Sequence, residues 1–353
     1  MTMLSKNKVV LGLSGGVDSS TAALLLREQG LEVIGYYFDV LGNNKEGAAV
    51  AQDLADKMGI RLITEDVSED FDRIVIENFC REYSHGRTPN PCVVCNPNIK
   101  FKKLLEVADR EGAYYIATGH YAQTVYNEES DMYYLKMGAN EKKDQSYMMY
   151  RLGQDALSRV IFPLGGFDDK EKTREVARDF GLPNSETVDS QEICFIDEKV
   201  ESYQEYLQRR GYESIPGDFV DRHGNVLGQH KGIMNYTIGQ RKGLGIALGK
   251  PAFVTEIDAE NNRVTLGDNA ELFKYQVHSI DNVFADDRKP DAGESLCVLA
   301  KVRYASKPAE AIITSDGDGG IIASFEEPQR AATPGQSIVF YVDGYVIGGG
   351  FID

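Results

Sequence analysis

The chain has 353 residues, 42% hydrophobic and 26% charged, with a formal net charge of −17. That length suggests two or three domains, and the acidic balance argues against indiscriminate nucleic-acid binding while leaving room for a local basic groove. No apolar run approaches the roughly 20 residues that cross a bilayer, and five cysteines, an odd number, argue against a structural disulfide framework.

Met1 to Lys8 leads directly into the first strand, with no h-region and no cleavage site. No signal peptide is therefore expected, and the expected compartment is the cytoplasm. Val9-Val10-Leu11-Gly12-Leu13 reads as a buried parallel strand. Thr21 to Arg27 reads as a helix. Between them lies Ser14-Gly15-Gly16-Val17-Asp18-Ser19-Ser20. A strand-to-helix loop turns backbone N–H groups and the positive end of a helix dipole toward an anion. Gly15 and Gly16 allow close backbone approach to a phosphate, and the three serines add hydroxyl groups. Asp18 repels phosphate, so it fits only if it holds Mg²⁺ or fixes the loop. The G-x-x-x-x-G-K-[ST] pattern with its phosphate-binding lysine is absent.

Glu32 to Phe38 reads as a second strand, and Asn43 to Gly47 as a polar turn. Ala48 to Met58 reads as a helix stopped by Gly59, and Ile60 to Ile63 as a third strand. Asp72 to Ser84 has helical periodicity. His85 to Pro91 holds two prolines one residue apart and reads as irregular. Phe101 to Glu111 reads as a helix ended by Gly112. Tyr114 to Gly119, followed by His120, reads as the next buried strand. This β-α-β-α alternation predicts an α/β fold with an N-terminal doubly wound parallel sheet, whose site lies at the carboxyl ends of the strands.

Residues 141–200 read as helices and loops, with one helix from Lys170 to Phe180. From Asp218 short strand-like runs alternate with Gly and Asn turns. Beyond Gln276 nearly all of the signal is strand, which suggests a β-barrel. The predicted domains are 1–200, 201–272 and 273–353: a catalytic domain, a small mixed central domain and a C-terminal β-barrel.

Cys95 lies in Pro89-Asn90-Pro91-Cys92-Val93-Val94-Cys95-Asn96, and Cys194 in Asp189-Ser190-Gln191-Glu192-Ile193-Cys194-Phe195. Both segments are rich in polar and special-backbone residues and read as chemistry, not core. Cys80 and Cys297 read as buried small apolar residues.

The loop SGGVDSS resembles the PP-loop of ATP-pyrophosphatases, enzymes of the adenine nucleotide alpha hydrolase-like fold that split ATP between its α and β phosphates. Together with GRTPNP, CNxxIKF, YIATGHY, KDQSY, DSQEICF, IGQRKGLG, TPGQS and the terminal GGG, in that order, it makes nearly the whole chain resemble the tRNA-specific 2-thiouridylases of the MnmA type. The resemblance implies ATP-dependent 2-thiolation of uridine 34, the wobble base, in glutamate, lysine and glutamine tRNAs. It implies adenylation of the C2 oxygen, attack by sulfur, and release of AMP and pyrophosphate.

By position, the resemblance makes Cys194 the persulfide-bearing nucleophile and Cys95 the residue that resolves it, through a transient disulfide. It puts Gly12, Leu13, Ser14, Gly15, Gly16, Val17, Asp18, Ser19, Ser20, Phe38 and Gly119 at ATP, with Asp18 near Mg²⁺. It puts Asn90, Pro91 and Cys92 at the target base, and Lys143, Asp144, Gln145, Arg303 and Tyr304 elsewhere on tRNA. Arg87, Lys100, Lys102, Lys103, Lys142 and Lys143 are candidates for a basic groove. Thr237 to Leu244 reads as either a basic tRNA-facing loop or a solvated turn. The expected sulfur donor is a cysteine desulfurase or a sulfur-carrier protein.

Two departures matter. The family's Asn-Pro-Asp is here Asn90-Pro91-Cys92, which creates a C-x-x-C pair and puts the role of the missing carboxylate in question. With Cys194 it makes three thiols, the number that holds a [4Fe–4S] cluster with one open iron, so a cluster-borne sulfide stands beside the persulfide route. The loop after the second strand is also shorter than in the family. An amide-forming PP-loop synthetase and a non-catalytic tRNA-binding homologue are the rival readings. The first needs an ammonia source, and no glutaminase domain is visible.

Overall fold

The computed structural model describes residues 4–186, 193–197, 199–286 and 288–353. Met1 to Met3 and Asp189-Ser190-Gln191-Glu192 of the second cysteine motif lie outside the described residues. In chain order come β1 (Ser5–Gly12), α1 (Val17–Glu28), β2 (Glu32–Asp39), α2 (Lys45–Met58), β3 (Arg61–Asp66), α3 (Ser68–Phe71), α4 (Glu77–Ser84), α5 (Pro91–Cys95), α6 (Phe101–Glu111) and β4 (Ala113–Ala117). Then come β5 (Ala122–Asn127), β6 (Met132–Met137), α7 (Gln154–Leu157), β7 (Val160–Ile161), α8 (Lys170–Asp179), α9 (Tyr203–Arg209), β8 (Gly217–Val220), β9 (Val226–His230), β10 (Phe253–Asp258) and β11 (Arg263–Gly267). The last six strands are β12 (Phe273–Phe284), β13 (Ser295–Lys301), β14 (Ala309–Ser315), β15 (Ile321–Arg330), β16 (Ser337–Val342) and β17 (Tyr345–Ile352).

The chain divides into two compact units. The first comprises Met1–Val75, Cys92–Gln191 and Asp343–Val346. The second comprises Ile76–Pro91, Glu192–Val342 and Ile347–Asp353.

The first unit is built on the expected parallel sheet, in the order β3-β2-β1-β4-β7. Val9, Val10 and Leu11 of β1 are fully buried, as an uninterrupted apolar run in a sheet covered on both faces requires. Val9 and Leu11 share a core cluster with Ala22, Ala23, Leu24 and Leu26 of α1 and Ala177 of α8. The chain runs outward from β1 to β2 and β3, then returns to place β4 on the other side of β1. The β1–β4 boundary is therefore a topological switch point, where the loops leaving both strands diverge and open a crevice.

Three local expectations between residues 43 and 137 are corrected. The polar turn at 43–47 ends early: Asn44 caps α2 by accepting from the Gly47 N–H at 2.9 Å, so Lys45 is already helical. Pro91 starts a helix and does not stay in the irregular segment, since proline suits the first helical turn, where its missing N–H is not needed. The chain is then helical from Pro91 to Glu111, with a π turn at Asn96–Lys100.

The sequence reading also had no strands between 122 and 137, where β5 and β6 form a hairpin. Its turn carries no glycine. Asn127 Oδ1 accepts from the N–H groups of Glu129 and Ser130, and Asp131 takes the positive φ of 53°.

In the second unit, β10-β11-β8-β9 form a small sheet with the β11–β8 pair parallel. Phe219, Tyr236, Val254, Val264 and Leu266 fill its core. The strands β12-β15-β14-β13-β16-β17 form an antiparallel barrel closed by the β12–β17 pairing, around Val298, Ala300, Ile313, Phe325, Ile338 and Phe340. On β13 the inward positions are Val298 and Ala300, so Cys297 points outward and is exposed, against the expectation that it is core. Cys80 is buried as expected.

Candidate functional site

In the first unit, the glycine loop leaves the carboxyl end of β1 and starts α1. Gly15 takes a φ of 87°, which favours glycine, and a Cβ there would stand 3.0 Å from Val50 Cγ1 of α2. Gly16 has an ordinary φ of −79° and precedes the first turn of α1. The serines hold the loop's shape. Ser19 Oγ and Ser20 Oγ donate to the Gly16 carbonyl at 3.1 and 3.0 Å, and the Ser14 N–H donates to Ser19 Oγ at 3.2 Å. Ser19 and Ser20 are buried, whereas Ser14 is exposed. Leu13 and Val17 point into the core, and the Leu13 N–H is taken by the Tyr36 carbonyl at 2.9 Å.

Phe38 and Gly119 meet this loop from the neighbouring strands. A Cβ on Gly12 would stand 3.7 Å from Phe38 Cε1, so the Phe38 ring lies beside the Gly12 backbone. A Cβ on Gly119 would stand 2.7 Å from both Asp18 C and Ser19 N. No side chain fits there, and the turn after β4 therefore lies directly against the first turn of α1.

Asp18 is held by side chains, not by backbone. Lys170 Nζ, at the start of α8, is ion-paired with Asp18 Oδ1, and the Tyr121 hydroxyl donates to the same oxygen at 3.0 Å. Tyr121 also bonds Thr173 Oγ1 at 2.8 Å, and Thr21 Oγ1 donates to the Thr173 carbonyl at 3.1 Å, which ties α1 to α8. Asn184 Nδ2 donates to the Gly15 carbonyl at 2.9 Å and to Ser20 Oγ at 3.0 Å. Lys170, Tyr121, Thr173 and Asn184 were missed by the sequence reading. The absence of a lysine within the loop was the one hint that a cation comes from elsewhere in the chain.

Cys92 and Cys95 lie one helical turn apart on α5. Cys92 is exposed and Cys95 is partly buried. Burial pushes the Cys95 thiol up, opposed by the Lys100 ammonium and backbone N–H, while a charge on Cys92 adds to the rise. Lys100 Nζ also lies 3.4 Å from His120 Nε2, and Thr118 Oγ1 lies 2.8 Å from His120 Nδ1. His120 stacks on Phe101 with ring centroids 6.1 Å apart. Burial, and then the Lys100 charge, hold this imidazole well below its ordinary range, so it is neutral.

Lys143, Asp144 and Gln145 form a structured turn. The Asp144 carboxylate is buried and accepts from the Gly138 and Ser146 N–H groups and from Ser146 Oγ. Gln145 Oε1 accepts from the Tyr121 N–H at 2.9 Å. Asp144 therefore shapes this turn, and its carboxylate is not presented to a ligand. The expected basic groove is weakened for the same kind of reason: Lys103 is paired with Asp70 and Glu106, and Arg87 with Glu82 and Asp353.

In the second unit, Cys194 is exposed and precedes two buried anchors, Phe195 and Ile196. Phe195 packs edge-on against Phe79 at 5.2 Å and tilted against Tyr206 at 5.6 Å. Arg303 and Tyr304 follow β13 and are partly exposed. In the Thr237–Leu244 loop, Gln240 Oε1 accepts from the Thr237 N–H and Gln240 Nε2 donates to the Lys242 carbonyl, leaving Arg241 and Lys242 exposed. Asn90 and Pro91 end the Gly86–Pro91 segment.

The Asp18 carboxylate does not fit Mg²⁺ as it stands. Asp18 Oδ1 already carries an ammonium and a hydroxyl donor, so Mg²⁺ would compete with Lys170 there. Among the described residues, no group of three His, Cys, Asp or Glu side chains is placed to hold a metal ion. No described helix is long and apolar enough to cross a membrane.

Comparison with known proteins covers the chain in three pieces. Family models described as "tRNA methyl transferase HUP domain", "tRNA methyl transferase PRC-barrel domain" and "Aminomethyltransferase beta-barrel domain" match residues 7–198, 204–268 and 277–352. The chain is 46% identical over 365 residues to tRNA-specific 2-thiouridylase MnmA 2 of Caldanaerobacter subterraneus subsp. tengcongensis, covering 99% of each chain. It is 43% identical over 363 residues to tRNA-specific 2-thiouridylase MnmA of Acetivibrio thermocellus, covering 99% of this chain and 100% of that one. A third relative, from Carboxydothermus hydrogenoformans, is 44% identical over 368 residues, covering 100% of this chain and 99% of that one.

Proposed function

The chain belongs to the tRNA-specific 2-thiouridylase family of tRNA-uridine sulfurtransferases, and from that premise we propose that it replaces the C2 oxygen of uridine 34 in tRNA by sulfur at the expense of ATP. The observation that carries the reading is the convergence of the glycine loop, the Phe38 ring and Gly119 at the carboxyl end of β1. In an open parallel sheet that is where a nucleotide binds. Phe38 offers a face for adenine. The loop N–H groups and Lys170 offer positive charge to the phosphates.

Oxygen is a poor leaving group from the uracil C2 carbonyl. Transfer of AMP to that oxygen releases pyrophosphate and turns the oxygen into a good leaving group. The terminal sulfur of a persulfide on Cys194 then attacks C2, forming a C–S bond as the C–O bond to AMP breaks. The Cys95 thiolate attacks the Cys194 sulfur, forming a Cys95–Cys194 disulfide and releasing the base as 2-thiouridine. An external dithiol reductant restores both thiols. The exposed Cys194 suits loading by a donor, and the raised Cys95 thiol suits a residue that acts second.

The uridine leaves the anticodon stack to reach the site. Asn90, Pro91 and Cys92 receive it, while Lys143, Gln145, Arg303 and Tyr304 hold the tRNA. We keep glutamate, lysine and glutamine tRNAs as substrates, a cysteine desulfurase or sulfur carrier as donor, the cytoplasm as location, and 1–200, 201–272 and 273–353 as functional domains. No step is taken through Mg²⁺ or a [4Fe–4S] cluster. Mass spectrometry of tRNA nucleosides from a deletion strain tests the activity. Loss of 2-thiouridine derivatives is expected, and their persistence without a redundant paralogue contradicts the reading.

A further inference from the structure

The Gly86–Pro91 segment is fixed from the far end of the chain, through contacts of Gly86 to Pro89 that lie within the second unit. Gln336, just before β16, donates from Nε2 to the Thr88 carbonyl at 2.9 Å and to the Pro89 carbonyl at 3.1 Å. The Thr88 N–H donates to the Pro334 carbonyl at 2.8 Å. A Cβ on Gly335 would stand 3.0 Å from Thr88 N and O, so the two backbones are in contact. Arg87 donates from Nη2 to the Ile352 carbonyl at 3.0 Å and from Nη1 to Asp353 Oδ1 at 2.8 Å. A Cβ on Gly86 would stand 2.5 Å from Ile257 Cγ2 of β10. Gln336 is itself held in the barrel, since its carbonyl accepts from the Ile352 N–H at 2.8 Å.

We propose that Gln336 is a positioning residue for the thiolation reaction: its amide clamps the Thr88 and Pro89 carbonyls to the C-terminal barrel and so sets the direction in which Asn90 and Pro91 meet the target base. This rests on the reading of Asn90 and Pro91 as base contacts. A segment with two prolines and no strand partner has few backbone bonds of its own to fix it. One amide bridging two successive carbonyls supplies that constraint, and it does so on the residues directly before Asn90. The TPGQS motif of the barrel and the GRTPNP motif of the catalytic segment thus form one structure, although about 250 residues separate them.

Misplacement of a reacting group by about 1 Å costs about 10²-fold in rate while leaving distant binding contacts intact. The test is Gln336→Glu, which keeps the shape and replaces the amide donor with an acceptor that repels both carbonyls. Single-turnover thiolation at saturating tRNA is measured with ATP and a persulfide donor, alongside tRNA and ATP affinities. The expected result is a rate at least tenfold lower with both affinities within twofold of the wild type. Gln336→Ala carries the same test should the glutamate variant fail to fold. An unchanged rate, or a loss explained entirely by weaker tRNA or ATP binding, overturns the inference. A wild-type protein that forms no 2-thiouridine contradicts the functional reading instead.

Discussion

Lys170, the first residue of α8, is ion-paired with Asp18 in the first turn of α1, and the Tyr121 hydroxyl donates to the same carboxylate oxygen at 3.0 Å. The glycine loop has no lysine of its own, and this pair brings one to its edge. Lys170→Met leaves Asp18 without its cation. Asp18 is about one-third exposed, so water limits the cost to about 1–2 kcal/mol. Thermal unfolding without nucleotide reads that cost. The same variant is expected to lose at least tenfold in AMP formation, because the positive charge beside the phosphates is gone. Asp18→Ala is expected to impair adenylation as well, and a full adenylation rate contradicts the account of the loop.

Gly119 has no space for a side chain. Gly119→Ala places a methyl group against the Asp18–Ser19 peptide, which is backbone and cannot swing aside. Overpacking of this kind costs about 1–3 kcal/mol. It also displaces the turn that presents the loop N–H groups. ATP affinity, measured by calorimetry, is expected to fall more than tenfold while the far-ultraviolet spectrum stays native.

These two relationships mark what the sequence made legible. The parallel sheet, the loop after β1 and the closing barrel were readable because Val9–Leu11, Ser14–Ser20 and the alternating runs after Gln276 each follow a local rule. Lys170 and Asn184 were not readable, because their roles depend on α8 and the chain after it returning to α1, and a single lysine at a helix start carries no local mark of a phosphate neighbour. The β5–β6 hairpin escaped because its turn uses an Asn127 side chain and a positive φ at Asp131 in place of glycine. Cys297 was misplaced by its strand's phase: one residue along β13 separates core from solvent.

His120 makes stability depend on pH. Its folded pKa is lowered by burial and by Lys100, whereas in the unfolded chain it takes up a proton near the ordinary 6.5. The stabilisation from keeping it neutral is complete above about pH 6.5 and is lost as pH falls below that value. The loss approaches about 1.4 kcal/mol per pH unit for one proton. Urea unfolding at pH 7.5 and 5.5 measures it. His120→Gln, which carries no titrating group, is expected to lose less stability over that interval than the wild type.

The cysteines divide by exposure. Brief iodoacetamide treatment at pH 7.5, followed by peptide mass spectrometry, is expected to modify Cys194 and Cys92 before Cys95, whose thiol is partly buried and pushed up. Cys80 is expected to stay unmodified until the protein unfolds. Cys95 reacting first contradicts its assignment as the residue that acts second.

The central claim is that ATP cleavage at the glycine loop is coupled to sulfur delivery through Cys194. It is tested most directly by incubating purified protein with unmodified glutamate tRNA, ATP and a persulfide donor, then counting 2-thiouridine at position 34 and AMP by mass spectrometry. The account predicts one AMP for each 2-thiouridine in the wild type and no 2-thiouridine in Cys194→Ser, with tRNA binding retained. Thiolation that persists in Cys194→Ser, or that proceeds without AMP formation, contradicts it.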